Sequence, residues 1–124
     1  MKKILIIDDE EDLCLFVKQN LEISGRYAVT FKTSGKDGLE SVAGDRPDLI
    51  LLDLIMPKMG GFEVLKKLRA SEATKQIPVV ILTAVGYDLS KERAKSFSVE
   101  GYLVKPVFAK DLLAKVNEVL EGLS

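Results

Sequence analysis

Three aspartates, a threonine and a lysine in this chain each stand after a short apolar segment. The segments and the residues that follow them are Ile4–Ile7 before Asp8 and Asp9, Leu49–Leu52 before Asp53, Val79–Leu82 before Thr83, and Tyr102–Val104 before Lys105. Apolar segments of this length, bounded by polar residues, are typical of strands that are buried on both faces of a sheet. If these strands are parallel neighbours, their C-terminal ends lie at one edge, and the carboxylates, the hydroxyl and the ammonium group converge there.

This set of side chains predicts a site for a divalent cation and for phosphoryl chemistry. Crowded carboxylates repel one another, and the repulsion is relieved by a raised pKa or by a bound cation. Oxygen ligands in a shallow, wet crevice suit Mg²⁺, with Mn²⁺ as the second candidate. The ion and Lys105 would together neutralise the three aspartates. In such a site Asp53 can attack phosphorus and form an acyl phosphate, while the ion, Lys105 and Thr83 bind the transferred oxygens.

The composition excludes several other kinds of chemistry. The 124 residues include no histidine, so a Ser-His-Asp or Cys-His triad is impossible. Cys14 is the only cysteine and lies in an amphipathic stretch, which predicts a buried structural thiol. The formal net charge of −1 gives no general attraction to nucleic acid or to an anionic membrane. No segment has the length of a membrane span or of a signal peptide, so we expect a cytoplasmic protein.

Strand and helix patterns alternate along the whole chain, which predicts one domain. The spacing predicts strands at 3–8, 27–33, 48–53, 79–83 and 101–104, and helices at 10–24, 35–44, 61–71, 89–97 and 108–121. Ser34 is a suitable N-cap for the second helix, and Gly25 can adopt the left-handed conformation that ends the first. Five strand–helix units predict an α/β, flavodoxin-like, doubly wound parallel sheet of order 2-1-3-4-5 with helices on both faces. Ligands bind such sheets beside the switch point, here between the first and third strands, which are the two strands predicted to end in aspartates.

The motifs at these strand ends resemble those of response-regulator receiver domains, the phosphorylated domains of two-component and phosphorelay signalling. The four pieces are Asp8-Asp9-Glu10, the stretch Asp53-Leu54-Ile55-Met56-Pro57-Lys58-Met59-Gly60-Gly61, Thr83-Ala84, and Gly101-Tyr102-Leu103-Val104-Lys105-Pro106. They occur in the family's order, and the resemblance covers residues 1–124. It implies a signalling domain that catalyses only its own phosphoryl transfer and a slow autodephosphorylation, not a turnover enzyme.

The resemblance assigns a role to each acid of the site. Asp53 corresponds to the phosphoacceptor, which takes its phosphoryl group from a phosphohistidine on a sensor histidine kinase or a histidine phosphotransfer protein. Asp9 corresponds to a direct Mg²⁺ ligand, and Asp8 to a ligand that often acts through water. Asp53 and the main-chain carbonyl of Ile55 would complete the protein's share of the metal shell.

Thr83 and Lys105 correspond to the pair that senses the phosphoryl group in this family. The peptide between Lys105 and Pro106 is commonly cis there. By the same resemblance, phosphorylation draws Thr83 inward and Tyr102 rotates into the space behind it. The face formed by the fourth helix, the fifth strand and the fifth helix then changes shape and regulates an output partner. The sequence identifies neither the kinase nor the output, and it leaves open whether the receiver stands alone or belongs to a longer regulator.

Two positions near the site are expected to tune the lifetime of the phosphoryl group. Ile55 and Val85 stand two residues after Asp53 and Thr83, at positions that influence this lifetime in the family. Neither side chain can form a hydrogen bond with an attacking water, which predicts slow autodephosphorylation, over many minutes or longer. The loop Ser98-Val99-Glu100 departs from the family, where this loop usually begins with glycine.

The same residues have other interpretations besides the receiver domain. A flavin-binding module of this fold needs a phosphate loop rich in Ser, Thr and Gly, whereas Asp8–Asp12 is acidic and repels phosphate. A phosphatase with an aspartyl nucleophile would want a second acid where Ile55 stands. Asp9 taken alone is equally a candidate N-cap for the first helix. The open alternative for the whole chain is an interaction module of the same fold that is never phosphorylated.

Overall fold

Parallel strands and flanking helices account for most of the computed structural model, which describes residues 1–84 and 97–122. The strands are β1 (Lys2–Ile7), β2 (Tyr27–Lys32), β3 (Leu49–Asp53), β4 (Val79–Thr83) and β5 (Gly101–Val104). The helices within the described ranges are α1 (Glu11–Glu22), α2 (Gly35–Gly44), α3 (Gly61–Ala70) and α4 (Ala109–Glu121). None of these helices is both long and apolar enough to cross a membrane. The strand order is β2-β1-β3-β4-β5 with every pair parallel, which confirms the predicted sheet.

The sheet is covered by helices on both faces, and β1 shows how the sequence achieves this. Alternate residues of a strand point to opposite faces. Ile4 and Ile6 pack in one apolar core together with α1 and α4, whereas Leu5 and Ile7 pack in a second core with α2 and α3. Every residue of β3 and β4 is buried, as expected for central strands with helices on both sides.

The register of the strands brings their C-terminal ends level. The aligned pairs at this edge are Ile7 with Leu52, Asp53 with Leu82, and Thr83 with Val104. Asp8 and Lys105 are the residues that come directly after β1 and β5. The polar residues at the strand ends therefore lie at one edge of the sheet, as predicted.

The predicted element boundaries agree with the observed ones to within two residues in the described ranges. β1 ends at Ile7, so Asp8 lies just beyond the strand and not within it. Ser34 caps α2 by accepting a hydrogen bond from the Asp37 N–H at 3.2 Å, and Gly25 has a φ of 76° in the turn after α1. The helix predicted at 89–97 lies outside the described residues, apart from Phe97.

The loop before β5 keeps a glycine-like conformation without a glycine. Ser98 has a φ of 58°, in the left-handed region that glycine adopts at the least cost. Arg69 of α3 holds this loop, because its guanidinium donates hydrogen bonds to the carbonyl oxygens of Phe97 at 2.9 Å and Ser98 at 3.0 Å. The same group donates to the Ile77 carbonyl just before β4, at 2.9 Å. The departure from the family pattern at this position thus leaves the backbone geometry of a glycine in place.

Candidate functional site

The residues that the sequence singled out meet at the carboxyl edge of the sheet. Asp8 follows β1, Asp53 and Thr83 end β3 and β4, and Lys105 follows β5. One ligand oxygen from each of Asp8, Asp9 and Asp53 lies within 4.8 Å of the other two. The predicted convergence of three carboxylates with an ammonium group is therefore observed.

Asp53 is buried, and its burial controls its acidity. Only 4% of its surface is exposed. Burial first, and the charge of Asp8 second, raise the pKa of Asp53 to about 6, although the Lys105 ammonium and the Ile55 N–H act in the opposite direction. The Ile55 N–H donates to Asp53 Oδ1 at 3.2 Å, and Asp53 Oδ2 lies 3.5 Å from Lys105 Nζ. One oxygen is thus oriented by the loop after β3, and the other faces the lysine.

Asp8 is fully buried and carries an oxygen that lacks a hydrogen bond. Its Oδ1 accepts from the Glu10 N–H at 2.9 Å. Its Oδ2 has no hydrogen-bond partner within the described part of the chain, although the Lys105 ammonium lies 2.9 Å away and forms an ion pair with it. Burial raises the pKa of Asp8, against the opposing effects of the Glu10 N–H and Lys105.

Lys105 is the cation around which these acids are arranged. Its side chain is 13% exposed and contacts the carboxylates of Asp8, Asp53 and Glu10. Burial disfavours its charge, but the three carboxylates outweigh that cost and raise its pKa. The Lys105 N–H donates to the Thr83 carbonyl at 2.7 Å, which ties the two predicted phosphoryl-sensing residues together through the main chain. The peptide before Pro106 is cis, as the resemblance implied.

Glu10 is part of this arrangement, a role that the sequence pattern did not predict. Its carboxylate forms an ion pair and a hydrogen bond with Lys105 Nζ. Glu10 also occupies the N-cap position of α1 and makes no side-chain capping bond there, so the interpretation of Asp9 as the N-cap is wrong. The sequence signal for this role is the third acid of the Asp8-Asp9-Glu10 run.

The donor set fits a hard divalent cation. The three aspartates supply carboxylate oxygens close enough to share one ion. Asp8 Oδ2 is a buried acceptor without a hydrogen bond, which is the kind of atom that a metal or its bound water satisfies. Asp9 is exposed, so the cluster opens to solvent on one side. The main-chain carbonyl of Ile55 as a further ligand stays a prediction.

The remaining predicted residues are placed around this centre. Thr83 is buried at the end of β4, beside the end of β3. Tyr102 is half-buried on β5 and packs against the core that α2 and α3 cover. Ile55, two residues after the end of β3, is exposed, with 60% of its surface accessible. Val85 lies outside the described residues.

Cys14 is confirmed as a buried residue of the core. It has no exposed surface, and its thiol donates to the main-chain carbonyl of Asp8 at 3.4 Å. Burial, with a smaller effect from the Asp8 charge, raises the pKa of the thiol to about 12. At such a pKa the thiolate that would react is almost absent at neutral pH.

Known proteins match this chain over nearly its whole length. The family model described as the response regulator receiver domain matches residues 4–117. The DNA-binding dual master transcriptional regulator RpaA of Synechocystis is 40% identical over 120 residues, which cover 97% of this chain and 49% of that protein. The alkaline phosphatase synthesis transcriptional regulatory protein PhoP of Bacillus subtilis is 35% identical over 96% of this chain and 48% of its own length. The chain therefore spans about half the length of these curated relatives.

The solved structures show the same similarity in three dimensions. The chemotaxis response regulator CheY4 of Vibrio cholerae superposes with a TM-score of 0.90 at 32% identity, over 97% of this chain and 99% of that one. A receiver domain protein from Methanospirillum hungatei gives a TM-score of 0.90 at 29% identity, over 98% and 95% of the two chains. With the matched family model, the shared fold and the strand-end residues in place, this chain belongs to the response regulator receiver domain family.

Proposed function

We propose that this domain is a phosphorylation switch in which Asp53 accepts a phosphoryl group from a phosphohistidine. The observation that supports this most directly is a buried carboxylate with two other aspartates within 4.8 Å and the Lys105 ammonium 3.5 Å away. A buried acid in this setting is costly unless cations compensate it. The arrangement suits a site that receives a metal ion and a phosphoryl group.

The transfer requires little covalent chemistry from the protein. An oxygen of Asp53 attacks phosphorus, an O–P bond forms, and the P–N bond breaks with its electron pair remaining on the imidazole of the donor. Lys105 contacts the transferred oxygens, and the Thr83 hydroxyl donates a hydrogen bond to one of them.

Asp8, Asp9 and Asp53, with the Ile55 carbonyl, would hold Mg²⁺. When bound, the ion supplies positive charge that offsets the charge of the phosphoryl oxygens. Mn²⁺ has the same preference for oxygen ligands and is the expected substitute.

The partners follow from the same chemistry. A histidine kinase or a histidine phosphotransfer protein provides the phosphohistidine, and the phosphorylated domain acts on an output domain or protein. The names of RpaA and PhoP describe transcriptional regulators, and each is about twice as long as this chain. We infer that phosphorylation changes the face that contains β5 and α4, through Thr83 and the half-buried Tyr102. The fourth helix predicted at 89–97, which the resemblance places on the same face, lies outside the described residues apart from Phe97.

The domain is proposed to act as a signalling module and not as an enzyme that turns over an external substrate. Its chemistry is limited to transfer onto Asp53 and a slow hydrolysis of the product. Position 55, where an aspartyl phosphatase would want a second acid, is an exposed isoleucine.

The proposal is tested by incubating the protein with Mg²⁺ and acetyl phosphate and measuring its intact mass. We expect one added phosphoryl group on the wild type and none on Asp53→Asn. Asp37→Asn is the matched control, because Asp37 is an exposed acid in the first turn of α2, and it should be modified like the wild type. No adduct on the wild type, with this donor or with a phosphohistidine donor, would favour the unphosphorylated interaction module.

The phosphoryl group on Asp53 is expected to survive for many minutes or longer, because the side chain of Ile55, two residues further on, is apolar. Ile55 cannot orient a water molecule by a hydrogen bond, whereas Ile55→Asn introduces an amide that can. We expect this variant to lose the phosphoryl group several times faster in an autodephosphorylation assay. Ile23→Asn changes another exposed isoleucine, at the end of α1 and 81% accessible against 60% for Ile55, and should have no effect. A wild-type lifetime of seconds would contradict the prediction.

A further inference from the structure

We propose that Glu10 is a positioning residue that holds the Lys105 ammonium and thereby sets the balance between cation binding and phosphoryl binding at the site. The inference rests on the proposed function, since it assigns Lys105 to the phosphoryl group. It assigns a role to a residue that the sequence motif leaves without one.

Lys105 is shared unequally among three acids. Its Nζ makes its shortest contact with Glu10, lies 2.9 Å from Asp8 Oδ2 and lies 3.5 Å from Asp53 Oδ2. The Glu10 carboxylate also accepts a hydrogen bond from the Lys105 ammonium. The ammonium is therefore drawn towards the start of α1 and away from the phosphoacceptor.

Glu10 differs from the other two acids in its exposure. Its side chain is 60% exposed, whereas those of Asp8 and Asp53 are 0% and 5% exposed. The Glu10 carboxylate can therefore move away from Lys105 into solvent at little cost, whereas the carboxylates of the two buried aspartates cannot move away from it. This combination makes Glu10 the adjustable partner of an otherwise fixed group.

The loss of the Glu10 charge should shift the two bound species in opposite directions. Without Glu10, Lys105 pairs more fully with Asp8 and Asp53, which are proposed cation ligands, so Mg²⁺ binds less tightly. Once Mg²⁺ saturates the site, the freed ammonium is available to an anion on Asp53, so a phosphoryl group or its mimic binds more tightly. A purely structural role of Glu10 in α1 would weaken both.

The test compares Glu10→Gln with Glu11→Gln. Glu11 is the next residue along the chain, is exposed in the first turn of α1 and makes no ion pair with any described residue. The affinity for Mg²⁺ alone is measured by calorimetry, since the chain lacks tryptophan. The affinity for beryllofluoride, a mimic of the phosphoryl group, is then measured at saturating Mg²⁺ by NMR.

We expect Glu10→Gln to weaken Mg²⁺ binding and to strengthen beryllofluoride binding, each by about two- to five-fold, which is what a partly exposed ion pair contributes. Glu11→Gln should change each affinity by less. In a Lys105→Met background the effect of Glu10→Gln on Mg²⁺ should fall to that of Glu11→Gln, because the pair no longer exists. This loss of coupling is a result that general damage to the helix would not produce.

The outcomes separate this inference from the proposed function. If the wild type is phosphorylated on Asp53 but Glu10→Gln behaves like Glu11→Gln, the role of Glu10 is refuted and the function stands. The same holds if Glu10→Gln weakens the binding of both Mg²⁺ and beryllofluoride. If the wild type takes up neither a phosphoryl group nor beryllofluoride, the proposed function itself fails, whatever Glu10 does to Mg²⁺.

Discussion

Gly61→Ala is expected to lower the free energy of unfolding by about 3 kcal/mol or more, the upper end of what overpacking costs. A Cβ atom on Gly61 would overlap the main-chain oxygen of Asp53 and lie 2.6 Å from Leu54 Cα. Both neighbours are backbone atoms, so no side-chain rotation relieves the contact. The Gly61 N–H also donates to the Leu54 carbonyl at 2.9 Å, and this bond must break or shift if the two backbone segments move apart.

The same substitution is expected to impair the site, because the atoms that must move belong to the phosphoacceptor and its neighbour. Helix propensity alone predicts the opposite sign, since alanine is favoured over glycine by about 1 kcal/mol inside a helix. Urea unfolding of the variant therefore shows whether overpacking or helix propensity has the larger effect on stability. Repeating the measurement with Mg²⁺ shows whether the site is impaired. A variant as stable as the wild type would show that the loop after β3 can yield at this point.

Gly60→Ala is the matched control for this prediction. It makes the same chemical change one residue earlier, where a Cβ would lie 3.6 Å from the Leu54 carbonyl oxygen, at ordinary contact distance. Gly60 is the N-cap of α3 with a φ of −75°, which alanine adopts without strain. Its expected cost is about 1 kcal/mol or less, the value of a weaker N-cap.

The sequence was sufficient to predict the sheet and most of the site because the information is local. Four apolar segments identify buried strands, and the residues after them carry the chemistry. Parallel order then places those residues at one edge without any knowledge of the loops. Asp53 and Thr83 end their strands as predicted, and Lys105 follows its strand directly.

What the sequence could not provide depends on contacts between distant segments. The Glu10–Lys105 pair joins residues that are 95 positions apart, and it depends on the residue at which α1 begins, which sequence patterns fix only to within a residue or two. Arg69 is similar, because its hydrogen-bond partners are main-chain carbonyls of other loops, and these leave no pattern in the sequence. Ser98 likewise adopts a left-handed conformation that its residue type does not favour.

The second prediction is that Asp53→Asn stabilises the domain at neutral pH when no divalent cation is present. Burial and the charge of Asp8 raise the pKa of Asp53 to about 6 from an ordinary 3.8. The difference corresponds to at most about 3 kcal/mol, at about 1.4 kcal/mol per pKa unit. This difference already includes the opposing effect of the Lys105 ammonium 3.5 Å away, and solvent screening at the site reduces it further. We therefore expect the free energy of unfolding to rise by about 1–2 kcal/mol at pH 7.5 in EDTA.

The dependence on pH gives this prediction a definite sign. Because the pKa of Asp53 is raised in the folded state, the folded protein binds more protons than the unfolded chain between pH 3.8 and about 6. The contribution of Asp53 to stability therefore falls as the pH rises through this range and stays low above it. Asp53→Asn removes that loss, so its advantage over the wild type should grow from pH 4 to pH 6.5 and then level off.

A cation should reverse the comparison, because Mg²⁺ binds the folded wild type through the carboxylate that the variant lacks. Saturating Mg²⁺ should raise the unfolding free energy of the wild type by more than that of Asp53→Asn. Asp37→Asn removes an exposed acid from the first turn of α2, where a negative charge is mildly favourable, so it should be slightly destabilising with no dependence on Mg²⁺. Asp53→Asn could instead be less stable than the wild type in EDTA at every pH. In that case Lys105 alone compensates the buried carboxylate, and the folded domain does not need a cation to offset its charge.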